Sequence, residues 1–317
     1  MNKITHVNAA TIAEAVSALG TGAAVIAGGT DIFQSLKAQI YADPPSKLVN
    51  IKTIPNMAYI KEESSVLKIG ALTTLTDIYE SSVVNAKWPS LAEAAHRVGS
   101  PQLRNQGTLG GNLCQRCRCW YYRAEKNEFN CLRKGGPLCY MIQGNTLRHT
   151  ALYPEGGCVT IDVSDTAVAL TALGATVVTN KRSIAIADFF TALGNVLETD
   201  EIVTEVQVPA PASGTKQVFI KWAERKAIDF TEASVATLLT VSGGNVTDAV
   251  IVLGGVSPRP RRATDAENAV KGKAISDTVA SDAATQAVKG AIPLNTYGGN
   301  GWKIPIVKKV VKQALLS

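Results

Sequence analysis

Ala23-Ala24-Val25-Ile26-Ala27-Gly28-Gly29-Thr30-Asp31-Ile32 is the stretch whose reading decides the fold. Five small or apolar residues, 23–27, make a run of strand length. Two glycines break it, and residues 32–40 then carry helix-like spacing. Strand, glycine turn, helix is the expected order. Paired glycines let backbone N–H groups approach an anion where a Cβ would collide. A helix that starts just beyond them turns its orphan N–H groups and the positive end of its dipole toward the same place. Thr30 adds a hydroxyl. The stretch reads as a phosphate cradle, with a plain tight connection as the competing reading. It is not a Rossmann fingerprint, because no G-x-G-x-x-G occurs there.

A second loop of the same kind follows about 80 residues later, Gly107-Thr108-Leu109-Gly110-Gly111-Asn112. Two such loops are consistent with one dinucleotide gripped by two segments of chain. The competing reading is a structural turn beside the segment that comes next.

That next segment holds every cysteine in the chain: Cys114, Cys117, Cys119, Cys131, Cys139 and Cys158. Crowding of this kind means a disulfide knot or a thiolate-ligated metal centre. From Cys119 onward the intervening gaps are 11, 7 and 18 residues. Long irregular gaps suit an iron–sulfur cluster in a folded loop better than zinc, whose ligands usually come in close pairs. Arg116, Arg118, Arg123, Lys126, Arg133, Lys134 and Arg148 lie in or near the segment, against Glu125, Glu128 and Glu155. That excess of cations suits a buried anionic centre. A solvated arginine-rich loop is the bland alternative. His149 is read as a surface residue, and His6 and His96 stand alone, so hydrolytic chemistry has no support.

The remaining pattern is α+β. Residues 11–19 form an amphipathic helix with Thr11 and Glu14 as a capping box. Segments 48–51 and 67–69 are strands, 74–79 and 90–98 helices, and Ser100-Pro101-Gln102 ends the last of these. Residues 158–162 are a strand, 165–173 a helix capped by Ser164 or Asp165, and 175–179 a strand. Pro209-Ala210-Pro211-Ala212-Ser213-Gly214 reads as a linker. Beyond it come strands at 217–222, 235–242 and 249–253, then helices ending with 304–316. Two domains are expected, 1–208 and 214–317, with the cysteine segment at about 114–158 inserted in the first.

Composition bounds the function. Hydrophobic residues at 46% and charged residues at 18% describe a globular chain and exclude wholesale disorder. A net charge of +6, with no basic block interleaved with aromatics, argues against nucleic acid as a partner. No apolar run is long enough for a membrane span. Residues 1–8 lack the apolar region of a Sec leader, so a cytoplasmic location is expected and structural disulfides are disfavoured.

Taken in order, IAGGTD at 26–31, QLRNQGTLGGN at 102–112, Ser164-Asp165 at a helix start, and LGGV at 253–256 followed by proline and arginines form a specific combination. It resembles the FAD-binding middle subunit of the molybdenum hydroxylases, the xanthine dehydrogenase superfamily, over nearly the whole chain. The resemblance implies a two-part α+β FAD domain with a small α+β C-terminal domain. It places Ala24, Val25, Ile26, Ala27, Gly28, Gly29, Thr30, Asp31 and Ile32 around the FAD pyrophosphate. Thr108, Gly111 and Asn112 would lie along the phosphate and ribityl region. Asp165 would sit near the ribityl chain or flavin ring, and Lys221 close to FAD. The cysteine segment resembles the inserted [4Fe-4S] loop of the aldehyde oxidoreductase and 4-hydroxybenzoyl-CoA reductase flavoproteins. By that match Cys119, Cys131, Cys139 and Cys158 are ligands, while Cys114 and Cys117 are extra. The implied partners are a molybdenum-cofactor large subunit and a [2Fe-2S] small subunit, with an external electron acceptor or donor. Export on a partner's signal is compatible with this. A zinc- or disulfide-stapled binding protein and a stand-alone FAD oxidase are the rival readings; the first leaves both glycine loops without purpose.

Overall fold

The computed structural model describes residues 3–317. Met1 and Asn2, the first residues of the segment read as lacking a leader, lie outside the described residues. The opening stretch folds as expected. Ala23–Ile26 is a strand and Ile32–Lys37 the helix that follows. This strand and Thr5–Asn8 both pair in parallel with a central strand, Lys47–Asn50. Thr11 caps the helix Ile12–Ala18 by accepting from Glu14 N. The Glu14 carboxylate reaches back to Ala10 N, one residue short of a closed capping box. Thr74 and Asp77 do close such a box on the helix Leu75–Glu80.

A five-stranded antiparallel sheet forms the second layer of the first part, in the order Ile60–Glu63, Val66–Gly70, Val203–Pro209, Thr176–Thr179, Ser183–Ala185. Ser100 does not simply end a helix. It caps a short further one, Pro101–Arg104, because a proline is well suited to a helix's first turn. The helix Asp165–Ala172, capped by Ser164, is buried on nearly every face. A helix apolar all round belongs inside a core.

Past Pro209 the chain builds a four-stranded antiparallel sheet from Thr215–Trp222, Ala233–Ser242, Asn245–Gly254 and Arg261–Arg262. Alternation along these strands serves two cores. Phe219, Ala236 and Val252 point into the core of the first part. Val235, Ile251 and Leu253 pack beneath the helices Thr264–Val270, Asp277–Gln286 and Lys303–Leu316. The two parts are stitched together as well. The indole of Trp88, fully buried, donates to Pro209 O at 2.9 Å, and Ser90 Oγ donates to Gln217 Oε1 at 3.1 Å.

The cysteine segment contains one short helix, Trp120–Arg123, and three single 3-10 turns. What holds it is a small core of its own, in which Cys117, Cys119, Tyr122, Cys131 and Met141 pack on Ile40 and Val159. No described helix is long and apolar enough to cross a membrane.

Candidate functional site

The two glycine loops meet. A Cβ on Gly28 would overlap the carbonyl of Gln106, immediately before the second loop, and would touch Gly107 Cα. Gly29 has φ +73°, the left-handed region that glycine enters at least cost. The second loop is in turn pinned to residues 71–75. Leu75 N donates to Gly107 O, Leu109 N to Thr73 O and Gly110 N to Ala71 O, all at 3.0 Å. Thr108 caps the short helix Leu109–Leu113 by accepting from Gly111 N. Residues predicted to share one ligand, though far apart in sequence, are thus brought side by side. Ile26 is buried against Leu36 and Leu48, and Ala24 and Ile32 pack on the same cluster. Their side chains build the scaffold on which the turn sits.

Asn112 links this loop to the third predicted element. Its Oδ1 accepts from Ser164 Oγ at 2.5 Å and from Thr166 Oγ1 at 2.7 Å. Asp165, the next residue after the cap, is buried, and Lys221 Nζ donates to its Oδ2 at 2.6 Å and to Arg97 O at 2.9 Å. Burial pushes the Asp165 carboxyl up, and Lys221 opposes that rise. The other carboxylate oxygen, Oδ1, is buried with no partner. A buried acceptor without a donor is costly in isolation. It fits a group that carries an N–H or O–H, as a flavin ring and a ribityl chain both do. Two glycine turns packed so closely that Gly28 has no room for a Cβ, and one orphaned carboxylate oxygen, therefore match the needs of FAD.

All six cysteines carry free thiols, so the disulfide alternative is not realised. Cys119, Cys131, Cys139 and Cys158 line one cavity together with Tyr121, Arg133 and Met141. Arg133 Nε donates to Cys158 Sγ at 3.2 Å, and Cys139 and this arginine hold the Cys158 thiol below its usual range. Burial pushes Cys119 up to about 12. Among the described residues, no group of three or more His, Cys, Asp or Glu side chains stands close enough together to hold a metal ion. Cys114 is half-buried against the main core, and Cys117 lines a neighbouring cavity with Arg116, Arg133 and Asp162. Burial pushes Asp162 up to about 7.

His149 differs from expectation. It is half-buried, not on the surface, with Nδ1 unpartnered and Phe230 edge-on at 6.1 Å. Burial and then Lys303 lower it to about 4, so it is neutral at ordinary pH.

Some contributors carried no signal in the sequence. Gln106 acts through a backbone carbonyl, which no residue type announces. Arg133 was visible only as one of many cations, and its aim at Cys158 depends on the fold. The role of Ser164 was legible as a cap but not as the tie to Asn112.

Comparison with known proteins agrees with this geometry. Residues 2–211 match the family described as the FAD binding domain in molybdopterin dehydrogenase, and residues 219–316 match the CO dehydrogenase flavoprotein C-terminal domain. The chain is 32% identical over 271 residues to the aldehyde oxidoreductase FAD-binding subunit of Escherichia coli, covering 81% of this chain and 83% of that one. It is 30% identical to the carbon monoxide dehydrogenase medium chain of Hydrogenophaga pseudoflava, covering 94% and 89%. A solved structure of carbon monoxide dehydrogenase from the latter organism superposes with a TM-score of 0.78 at 27% identity, over 99% of this chain and 96% of that one. The chain therefore belongs to the FAD-binding medium subunits of the molybdenum hydroxylases, oxidoreductase components with an FAD domain and a CO dehydrogenase-type C-terminal domain.

Proposed function

We propose that this chain passes electrons between the [2Fe-2S] clusters of a small partner subunit and an external acceptor or donor, in a complex whose large subunit holds the molybdenum cofactor. The observation that carries the reading is the meeting of the Gly28 and Gly107 loops together with the free buried oxygen of Asp165. FAD, when bound, exchanges electron pairs or single electrons, which suits a junction between one-electron clusters and two-electron chemistry. The chain's residues bind and orient it. Backbone N–H groups of the turn at 27–30, flanked by 24–26 and by Asp31 and Ile32, face the pyrophosphate. Thr108, Gly111 and Asn112 lie along the phosphate and ribityl region. Asp165 Oδ1 accepts a hydrogen bond from the flavin side, and Lys221 keeps the other oxygen neutralised. In the same reading, 1–208 and 214–317 are the two domains.

Cys119, Cys131, Cys139 and Cys158 hold a [4Fe-4S] cluster in this reading. Support comes from four thiols lining one cavity, an all-sulfur donor set, and Arg133 at hydrogen-bond distance. A cubane places each thiolate on a different iron, so its sulfurs stand farther apart than the ligands of one ion.

Anaerobic purification with flavin, iron, sulfide and zinc assays tests both parts. About one FAD, four iron and four sulfide per chain are expected, with an EPR signal after dithionite reduction. Serine at any of the four ligand positions should remove the iron, and serine at Cys114 or Cys117 should keep it. Zinc in place of iron, without flavin, would overturn the electron-transfer reading.

A further inference from the structure

The carboxylate of Asp31 sits at the end of the first glycine turn, where it would repel a phosphate held by that turn. It is fully engaged elsewhere. Arg118 Nη1 and Arg123 Nη2 both donate to Oδ1, the latter at 2.7 Å, and Arg116 N donates to Oδ2 at 2.9 Å. All three donors belong to the cysteine segment. The side chains of Asp31, Arg118 and Arg123 are 20%, 13% and 17% exposed, so the pairs are largely withdrawn from water. Burial pushes the Asp31 carboxyl up, but the two guanidiniums outweigh it and hold the group below its ordinary value. Two cations on one carboxylate also reverse the local sign from negative to net positive.

The grip continues along the helix that the turn begins. Arg123 Nη1 donates to Ser35 Oγ at 2.7 Å and its Nε to Cys117 O at 2.8 Å. At the far end, Lys126 N donates to Ala38 O at 2.9 Å, Lys134 Nζ to Ile40 O at 3.0 Å, and Ile40 is fully buried among the cysteines. The helix Ile32–Lys37 is thus held at both ends by the inserted segment. A third tie runs to the other glycine loop, through Gln115, which donates to Asn112 O and accepts from Arg118.

We infer that Asp31 is a positioning residue that acts through Arg118 and Arg123, so that the cysteine segment sets how tightly the first glycine turn holds FAD. The inference rests on the assignment of that turn to FAD, and does not require the thiols to hold a cluster. Breaking a largely buried ion pair leaves the surviving partner uncompensated, and the turn loses its fixed position.

The test is a double-mutant cycle on the purified full-length chain, read as the FAD dissociation constant from fluorescence of released flavin. Asp31→Asn and Arg118→Ala should each weaken FAD by roughly tenfold or more, about 1.4 kcal/mol. The double variant should be no weaker than the worse single one. Asp31→Glu, which keeps the charge, should recover part of the affinity. Should Arg118→Ala fail to fold, as judged by circular dichroism, Arg118→Lys takes its place in the cycle, and should Asp31→Asn fail, Asp31→Ser takes its place. Effects that multiply would mean that Asp31 meets FAD directly, and unchanged affinity in Asp31→Asn would mean that the clamp is idle; either overturns the inference. A wild-type chain that binds no FAD would instead overturn the site assignment on which it rests.

Discussion

Lys221 Nζ stands 2.6 Å from Asp165 Oδ2, and the pair joins the two parts of the chain across the interface between their cores. With side chains 4% and 2% exposed, neither charge has water to replace its partner. The pair therefore sets both the interface and the state of the carboxylate proposed to face the cofactor.

Lys221→Met should cost about 3–5 kcal/mol of stability, since it strands a buried carboxylate. The Asp165 carboxyl is already raised by burial, and losing the lysine raises it further. A carboxyl raised in the folded state stabilises the fold below its unfolded value and loses that contribution as pH rises through its folded value. The variant should thus be worst in neutral and alkaline buffer and recover on acidification. Urea unfolding at pH 5 and pH 8 checks this; an equal loss at both would show that Asp165 is not the group exposed by the substitution.

Gly28→Ala should release FAD although it adds a single methyl group. The added Cβ overlaps the Gln106 carbonyl, so the two glycine loops must separate, and the damage does not depend on any clash with the pyrophosphate itself. Gly290→Ala is the control. Unlike Gly28 it has positive φ, +73°, but it meets nothing within 4 Å. It should cost only about 1–2 kcal/mol and keep its flavin. Flavin absorbance per chain separates the two outcomes.

Lys303 is a third buried charge, and its site predicts a pH effect of opposite sense. Its Nζ is fully buried, donating to Thr150 O at 3.1 Å and Gly255 O at 2.5 Å, with Glu232 at 3.7 Å. Burial lowers it from 10.5 to about 8. A depressed group adds stability above its unfolded value and loses it as pH falls through the folded one. The stability of the wild type relative to Lys303→Met should therefore rise between about pH 8 and pH 10.5. Thermal unfolding across that range measures it, and a flat difference would mean that the lysine keeps an ordinary pKa in the fold.

The glycine turn, its strand and its helix were legible because local chemistry dictates them: apolar run, two residues without Cβ, then helical spacing. The cap at Thr11, and that at Ser164 or Asp165, were legible for the same reason, since a cap acts within three residues of itself. The strand Ile60–Glu63 was not, because its residues Ile-Lys-Glu-Glu are mostly exposed and show no alternation to read. The state of His149 was not legible either. Its ring stands edge-on to that of Phe230, 81 positions away in the chain.

By itself, the sequence determined the kinds of chemistry on offer: two glycine turns for an anion, six crowded cysteines, and an acidic helix start at Asp165. Residue type and near-neighbour spacing suffice for that. Which of these groups meet was decided only by tertiary structure. Gln106 closes on Gly28, Lys221 crosses to Asp165, and Arg118 and Arg123 pair with Asp31. Those contacts span long stretches of chain, and their strength comes from burial, which no local pattern specifies.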